Sequence, residues 1–396
     1  MCAAFVLMPS KNTICEMDNC EKKIRVLMFV ANTNKKSGVA TVIMNYYSKI
    51  YKQATFDFLY FEDLDPDNYN CAINNYGGHL HKICSPYQLR SFRRELKQFC
   101  EKHKGDYDIF HFHTPYLGFL FHDIARLLGG GVTIIAHAHV TRFGEKPISF
   151  IRNGLATKLS LKIPDYYFAC SERAGQYNFG HYFDETHGFV INNAIEVKRF
   201  IYNITNREET RKEINVKDEF VVGHIGNFTP QKNHSFLLKV FAEMTKIVPN
   251  AQLVLIGDGY LKESIKREAA ELNVIHKVHF LGVRNDVNSL LSGFDCFLFP
   301  SLFEGLGIAL IEAQTNGLPC IISDCIPKEA KVCNYFEYSL SDSPNKWASV
   351  LYKCISRQED SETLVKNAGF ELDHEAHKLI DKYKYCIEGK KHAISR

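Results

Sequence analysis

The sequence is short of several features, and each lack removes a class of function. None of its thirteen cysteines stands in a C-x-x-C pair, so neither a thioredoxin-like redox motif nor a zinc ribbon is present. No apolar run approaches the roughly 18 residues of a membrane-spanning helix. The run at 3–8, AAFVLM, lacks the basic start of a signal peptide. Lys plus Arg exceed Asp plus Glu by three, 48 against 45, so overall charge gives no reason to expect nucleic acid as a partner. A dinucleotide fingerprint is missing too: Gly38 stands alone after the first apolar run, and Gly257-Asp258-Gly259 lacks a third glycine. Cys170, Cys296 and Cys320 fall inside apolar runs and read as buried thiols of a reducing compartment. A cytoplasmic protein is expected, resting at most on the inner face of a membrane.

What is present is an α/β alternation with 45% hydrophobic residues, ample for two or three cores. Residues 24–31, IRVLMFVA, form a nearly unbroken apolar run, the pattern of a parallel strand covered on both faces. A loop at 32–38 and a helical pattern over 39–51 complete a Rossmann-like opening. Further strands are expected at 56–61, 109–113, 132–136 and 166–171. Residues 203–218 are polar and charged, which places the interdomain connection around 195–218. A second unit then begins: strand 221–225, loop 226–233, helix 234–246. The expected division is a loose extension at 1–21, domains at 22–195 and 196–365, and a helical end at 366–396.

The stretch 298–323, LFPSLFEGLGIALIEAQTNGLPCIIS, is the most informative. Glu304 and Glu312 are separated by eight positions, roughly 12 Å if all were helical. That span would let one carboxylate hold each end of a nucleotide diphosphate sugar. Gly305 and Gly307 would let backbone N–H groups approach phosphate at a helix N-terminus. Spacing alone leaves a helix-start charge and a solvated face open.

The order F-E-G-L-G, then E-A, then G-L-P before a strand resembles the E-x7-E motif of family 4 glycosyltransferases, which have the GT-B fold. The strings NFTPQKNH and SLFEGL are similar to transferases of bacterial capsule and exopolysaccharide synthesis. The resemblance implies two Rossmann-like domains facing across a cleft, with the last helix crossing back to the first. It implies transfer of a sugar from a nucleotide diphosphate sugar, most simply a UDP-sugar, to a hydroxyl of a glycan or lipid-linked acceptor, with retention and without metal or cofactor. Glu312 would grip ribose, Glu304 would hold the donor sugar, and the N–H groups of Gly305, Leu306 and Gly307 would meet phosphate or sugar. Lys232 would balance the diphosphate, and Gly38 and Gly226 would line it. Val283 and Arg284 would border the base through backbone groups. Where the family carries Arg after the glycine, this chain has Asn227, an amide without charge. His139 would touch the donor sugar, with His137 the other candidate of that pair. The pairs His111/His113 and His137/His139 read as hydrogen-bonding or packing groups rather than metal ligands. Two other classes stay open: a nucleotide-sugar epimerase or hydrolase on similar halves, and a weakly active nucleotide-sugar-binding partner subunit. The basic helix at 90–104 would pack Phe92, Leu96 and Phe99 on the sheet or present them to anionic lipid. Asp286 reads as a helix cap.

Overall fold

The computed structural model describes residues 22–141, 147–353 and 356–394. The extension at 1–21 lies outside them. Two fully parallel sheets organise the chain. The first has order β3-β2-β1-β4-β5-β6-β7, with β1 at Ile24–Val30, β2 at Ala54–Tyr60, β3 at Leu80–Lys82, β4 at Ile109–Phe112, β5 at Thr133–Ala138, β6 at Tyr166–Ala169 and β7 at Gly188–Val190. The second has order β10-β9-β8-β11-β12-β13, with β8 at Val221–Ile225, β9 at Gln252–Ile256, β10 at Val278–Gly282, β11 at Cys296–Phe299, β12 at Cys320–Ser323 and β13 at Tyr335–Tyr338.

Every residue of β1 except Arg25 is buried, because helices cover both faces of the sheet. Val26 pairs with Phe56 on one side and Ile109 on the other, so β1 is central. In the second sheet β8 and β11 occupy the corresponding middle, with Cys296 against Val222. Cys170, Cys296 and Cys320 are buried free thiols.

Six helices matter below: α1 (Gly38–Ile50), α2 (Leu89–Lys102), α3 (Pro147–Ser160), α4 (His234–Ile247), α5 (Ile308–Thr315) and α6 (Leu372–Ile394). Ser37 caps α1, its hydroxyl accepting from the Ala40 N–H. α2 buries Phe92, Leu96 and Cys100, so its apolar side is core and not an interfacial face. α6 packs against the first sheet. Its Tyr383 is fully buried and stacks on Phe168, and its Lys390 pairs with Asp165 at 2.6 Å. The chain thus crosses between sheets twice, side by side: the Ile195 N–H donates to Phe370 O, and Asn192 Nδ2 donates to Gly369 O.

Candidate active site

In open parallel sheets ligands bind beyond the carboxyl ends of the strands. Here the loops after β1, β5, β8, β10 and β11 meet in one cleft between the sheets. A cavity of about 370 Å³ is lined by Lys35, Thr41, Glu196, Arg199, Arg284 and Glu312, among others. A neighbouring one of about 380 Å³ is lined by Asn32, Lys36, Ser37, Asn227, Asp258 and Val283.

Glu304 sits at the junction of the two sheets. Its carboxylate is buried and accepts from Lys232 Nζ at 2.6 Å and from Gln231 Nε2 at 3.1 Å. Lys232 also lies 4.8 Å from the Phe299 ring centre. The backbone beside Glu304 is held by the first sheet: Thr141 Oγ1 donates to Glu304 O at 2.8 Å, and Ser171 Oγ to Gly305 O at 3.0 Å. A Cβ on Gly305 would fall 1.8 Å from His139 O, so only glycine lets this loop seat there. Gly307 has φ +93°, a second position that favours glycine, and forms the N-cap of α5. The N–H groups of Gly305, Leu306 and Gly307 find no acceptor among the described residues.

α5 begins at Ile308, so Glu304 and Glu312 are not joined by eight helical steps, and the expected 12 Å does not follow. Glu312 lies within α5, half-buried in the cavity it shares with Arg199 and Arg284, and its carboxylate has no hydrogen-bond partner among the described residues. Burial pushes its pKa up to about 7, offset in part by the Arg199 charge.

Asn227 is exposed into the cavity beside Asp258 and Val283, and Lys36 lines the same cavity from the first domain. Gly226 is close-packed, since a Cβ there would meet Lys232 Cγ at 2.9 Å. Gly38 is different: a Cβ would meet nothing within 4 Å, so the space before it is open. Val283 is exposed at the cleft. The Arg284 guanidinium is held by Asp286 (2.6 Å) and Glu213, which raise its pKa and leave its backbone as the part free for a ligand. Asp286 therefore corrects the capping expectation: it stands at the N-cap position, but its carboxylate is taken by Arg284.

The four histidines share one face of the first sheet and stack. Ring centres of His137 and His139 are 4.1 Å apart, and those of His111 and His113 are 4.4 Å apart. His139 Nε2 is 2.8 Å from His113 Nδ1, so its ring closes the stack, while its backbone carbonyl meets the Gly305 loop. His137 is buried with neither nitrogen partnered. Burial holds His139 near pKa 4 and the other three well below the ordinary imidazole value. Ligand nitrogens of His111, His113 and His137 lie within 4.8 Å of one another. The His111 and His137 rings are 7° from parallel, with their centres 5.2 Å apart. Sequence reasoning passed over a D-x-D string, Asp63-Leu64-Asp65, just after β2. Two of its carboxylates are paired, Asp63 with Lys82 and Asp65 with Lys36, each at 2.6 Å.

Comparison with known proteins agrees with this fold. Residues 206–369 match the family described as "Glycosyl transferases group 1", and residues 38–199 match "Glycosyltransferase Family 4". The chain is 31% identical over 370 residues to the "Putative glycosyltransferase EpsF" of Bacillus subtilis (strain 168), covering 90% of this chain and 94% of that one. It is 30% identical over 254 residues to the UDP-Gal:alpha-D-GlcNAc-diphosphoundecaprenol alpha-1,3-galactosyltransferase of Escherichia coli, covering 59% and 62%. Among solved structures, Anabaena Alr3699/HepE in complex with UDP and glucose superposes with a TM-score of 0.69 at 16% identity, over 94% of this chain and 99% of that one. The two parallel sheets are the halves of a GT-B fold, and the chain belongs to the group 1 glycosyltransferases, with a family 4 domain at its front.

Proposed function

We propose that the protein transfers a sugar from a nucleotide diphosphate sugar, with UDP as the first candidate, to a hydroxyl of a lipid-linked glycan, with retention at the anomeric carbon. One observation carries the reading: Glu312 presents a half-buried carboxylate without a partner to the interdomain cavity, and the loop just before its helix carries Glu304, paired with Lys232, and backbone N–H groups without acceptors among the described residues. Vicinal ribose hydroxyls would supply the missing donors at Glu312, and the diphosphate would take the N–H groups and Lys232. Lys232 is held by Glu304 before donor arrives, so donor entry would divide its charge between carboxylate and phosphate. Glu304 is then placed to accept from sugar hydroxyls near His139 and Thr141. The uridine preference and the lipid-linked acceptor are supported by the named substrates of the Escherichia coli relative and the UDP bound to the Anabaena protein. A role in surface polysaccharide assembly follows from the same acceptor class.

The first experiment is a thermal-shift panel of UDP, GDP, ADP and their sugar conjugates. A ligand at 100 times its dissociation constant adds about 2.7 kcal/mol to stability. A shift confined to uridine nucleotides is expected. No shift with any nucleotide would overturn the donor assignment.

A further inference from the structure

A helix on a protein surface normally turns its apolar side inward. α3 does the reverse. Its inward residues Asn153, Thr157 and Ser160 are polar and buried, and they pack toward the turn at Pro115–Phe121. That packing is well satisfied: Ser160 Oγ donates to Ala156 O and accepts from the Phe119 N–H, both at 2.8 Å, and Thr157 Oγ1 donates to Asn153 O. The inversion is therefore built in. The outward stripe is Ile148, Ile151, Leu155 and Leu159, which are 82%, 70%, 61% and 66% exposed. Single exposed leucines need no explanation, but four in register at helical spacing form a patch.

The patch is rimmed by cations. Arg152 and Lys158 belong to α3, which contains no acidic residue. Arg152 lies over the Tyr87 ring at 5.4 Å, and Tyr87 is itself 65% exposed. Beyond it come exposed Leu89 and the exposed Arg90, Arg93 and Arg94 of α2. None of these five cations pairs with a carboxylate among the described residues. A second copy of the chain docking on the same patch by a two-fold axis would set these cations against themselves. An anionic surface would be complementary to both parts of the patch.

We propose that α3, with the segment around Tyr87 to Arg94, is the docking face for an anionic lipid bilayer. The apolar stripe enters the acyl boundary and the arginines and lysine meet headgroup phosphates. This deepens the lipid-linked acceptor reading and rests on it for its purpose: α3 follows closely on Thr141, whose hydroxyl holds the Glu304 loop, so docking would bring the cleft to where such an acceptor resides.

The test is cosedimentation of the full chain with vesicles of phosphatidylcholine alone and of phosphatidylcholine with about one quarter phosphatidylglycerol. Wild type is expected to bind the anionic vesicles and to lose them with rising salt. The variant Ile151→Ser/Leu155→Ser/Leu159→Ser and the variant Arg152→Glu/Lys158→Glu should each bind at least about tenfold more weakly. Both should keep the wild-type thermal shift with UDP, which shows that they fold. Wild type failing to bind anionic vesicles would overturn the proposal, as would undiminished binding by the serine variant. A wild-type dimer in sedimentation velocity that the serine variant converts to monomer, without vesicle binding, would assign the patch to self-association instead. If vesicle binding behaves as expected while no nucleotide shifts the protein, the docking face stands and the donor reading fails.

Discussion

Replacing Glu312 by Gln separates the cost of its charge from its use. Burial raises its pKa from 4.5 to about 7. At about 1.4 kcal/mol per unit the ionised carboxylate costs the fold about 3 kcal/mol, an upper bound because the group is only half-buried. The sign is fixed by linkage: a carboxyl whose folded pKa is raised holds its proton better in the fold. The cost is thus absent below about pH 4.5, grows between 4.5 and 7, and is complete above 7. Gln cannot ionise. Glu312→Gln should therefore unfold with wild type at pH 4.5 and be the more stable protein at pH 8, by up to roughly 6 to 12 °C in Tm for a domain of this size. The same substitution should weaken nucleotide binding at pH 8 by roughly ten- to a hundredfold, the value of hydrogen bonds to a charged acceptor. Wild-type donor affinity should accordingly rise with pH through about 7. Thermal unfolding and nucleotide titration at the two pH values measure all of this. An equal Tm gain at both, or unchanged nucleotide affinity in the variant, would refute the reasoning.

Two further outcomes follow from the same geometry. Asn227 and Lys36 line one cavity from opposite domains, so Asn227→Arg should raise the donor kcat/KM about tenfold, and Lys36→Ala should lower it about tenfold in wild type but less in the Asn227→Arg background; additive effects would show that the two positions do not share the diphosphate. His137 is buried with both nitrogens unpartnered, and its depressed pKa makes stability fall as pH drops below the ordinary imidazole value near 6.5. His137→Leu should flatten the loss of Tm between pH 7 and 5, and a loss as steep as in wild type would place the acid sensitivity elsewhere.

The strands were legible because parallel strands covered on both faces have no polar alternation, and β1, β8 and β11 are such runs. The glycines around Glu304 were legible as a close approach, but not what approaches. Gly305 meets the carbonyl of His139, and Ser171 reaches the Gly305 carbonyl across 134 positions of chain. A contact of that separation has no local signature. The strand, loop and helix order here was legible, with Glu304 on the loop and the helix starting at about Gly307, where α5 begins at Ile308; the 12 Å span taken from eight helical steps was not, because residues 304–307 are held as a loop by the other domain. The histidines carried more information than was used. Positions 111 and 113 share a face, as do 137 and 139, and the pairing of His111 with Ile135 puts both pairs on the same side. Period two was in the sequence, but the register that joins the pairs was not.

The two amphipathic helices of the first domain mark where such reading ends. α2 and α3 each have an apolar and a polar side, and each side is clear at helical spacing. α2 turns Phe92 and Leu96 inward, where β1 and β4 offer Phe29 and Phe110. α3 meets a surface that offers it the Phe119 N–H and the bare Cα of Gly118, beside which a Cβ would lie 2.7 Å from Ser160 Cβ. A small polar residue fits there and leucine does not. A hydrophobic pattern states that a helix has two sides; which one meets protein is decided by the partner, and for α3 the partner on its apolar side is not part of this chain's described core. The sequence drew attention to α2 as the helix for lipid because its charge was conspicuous. The packing of Ser160 against Gly118 leaves the apolar side of α3 outward, and the proposed lipid face joins that side to the arginines at the start of α2.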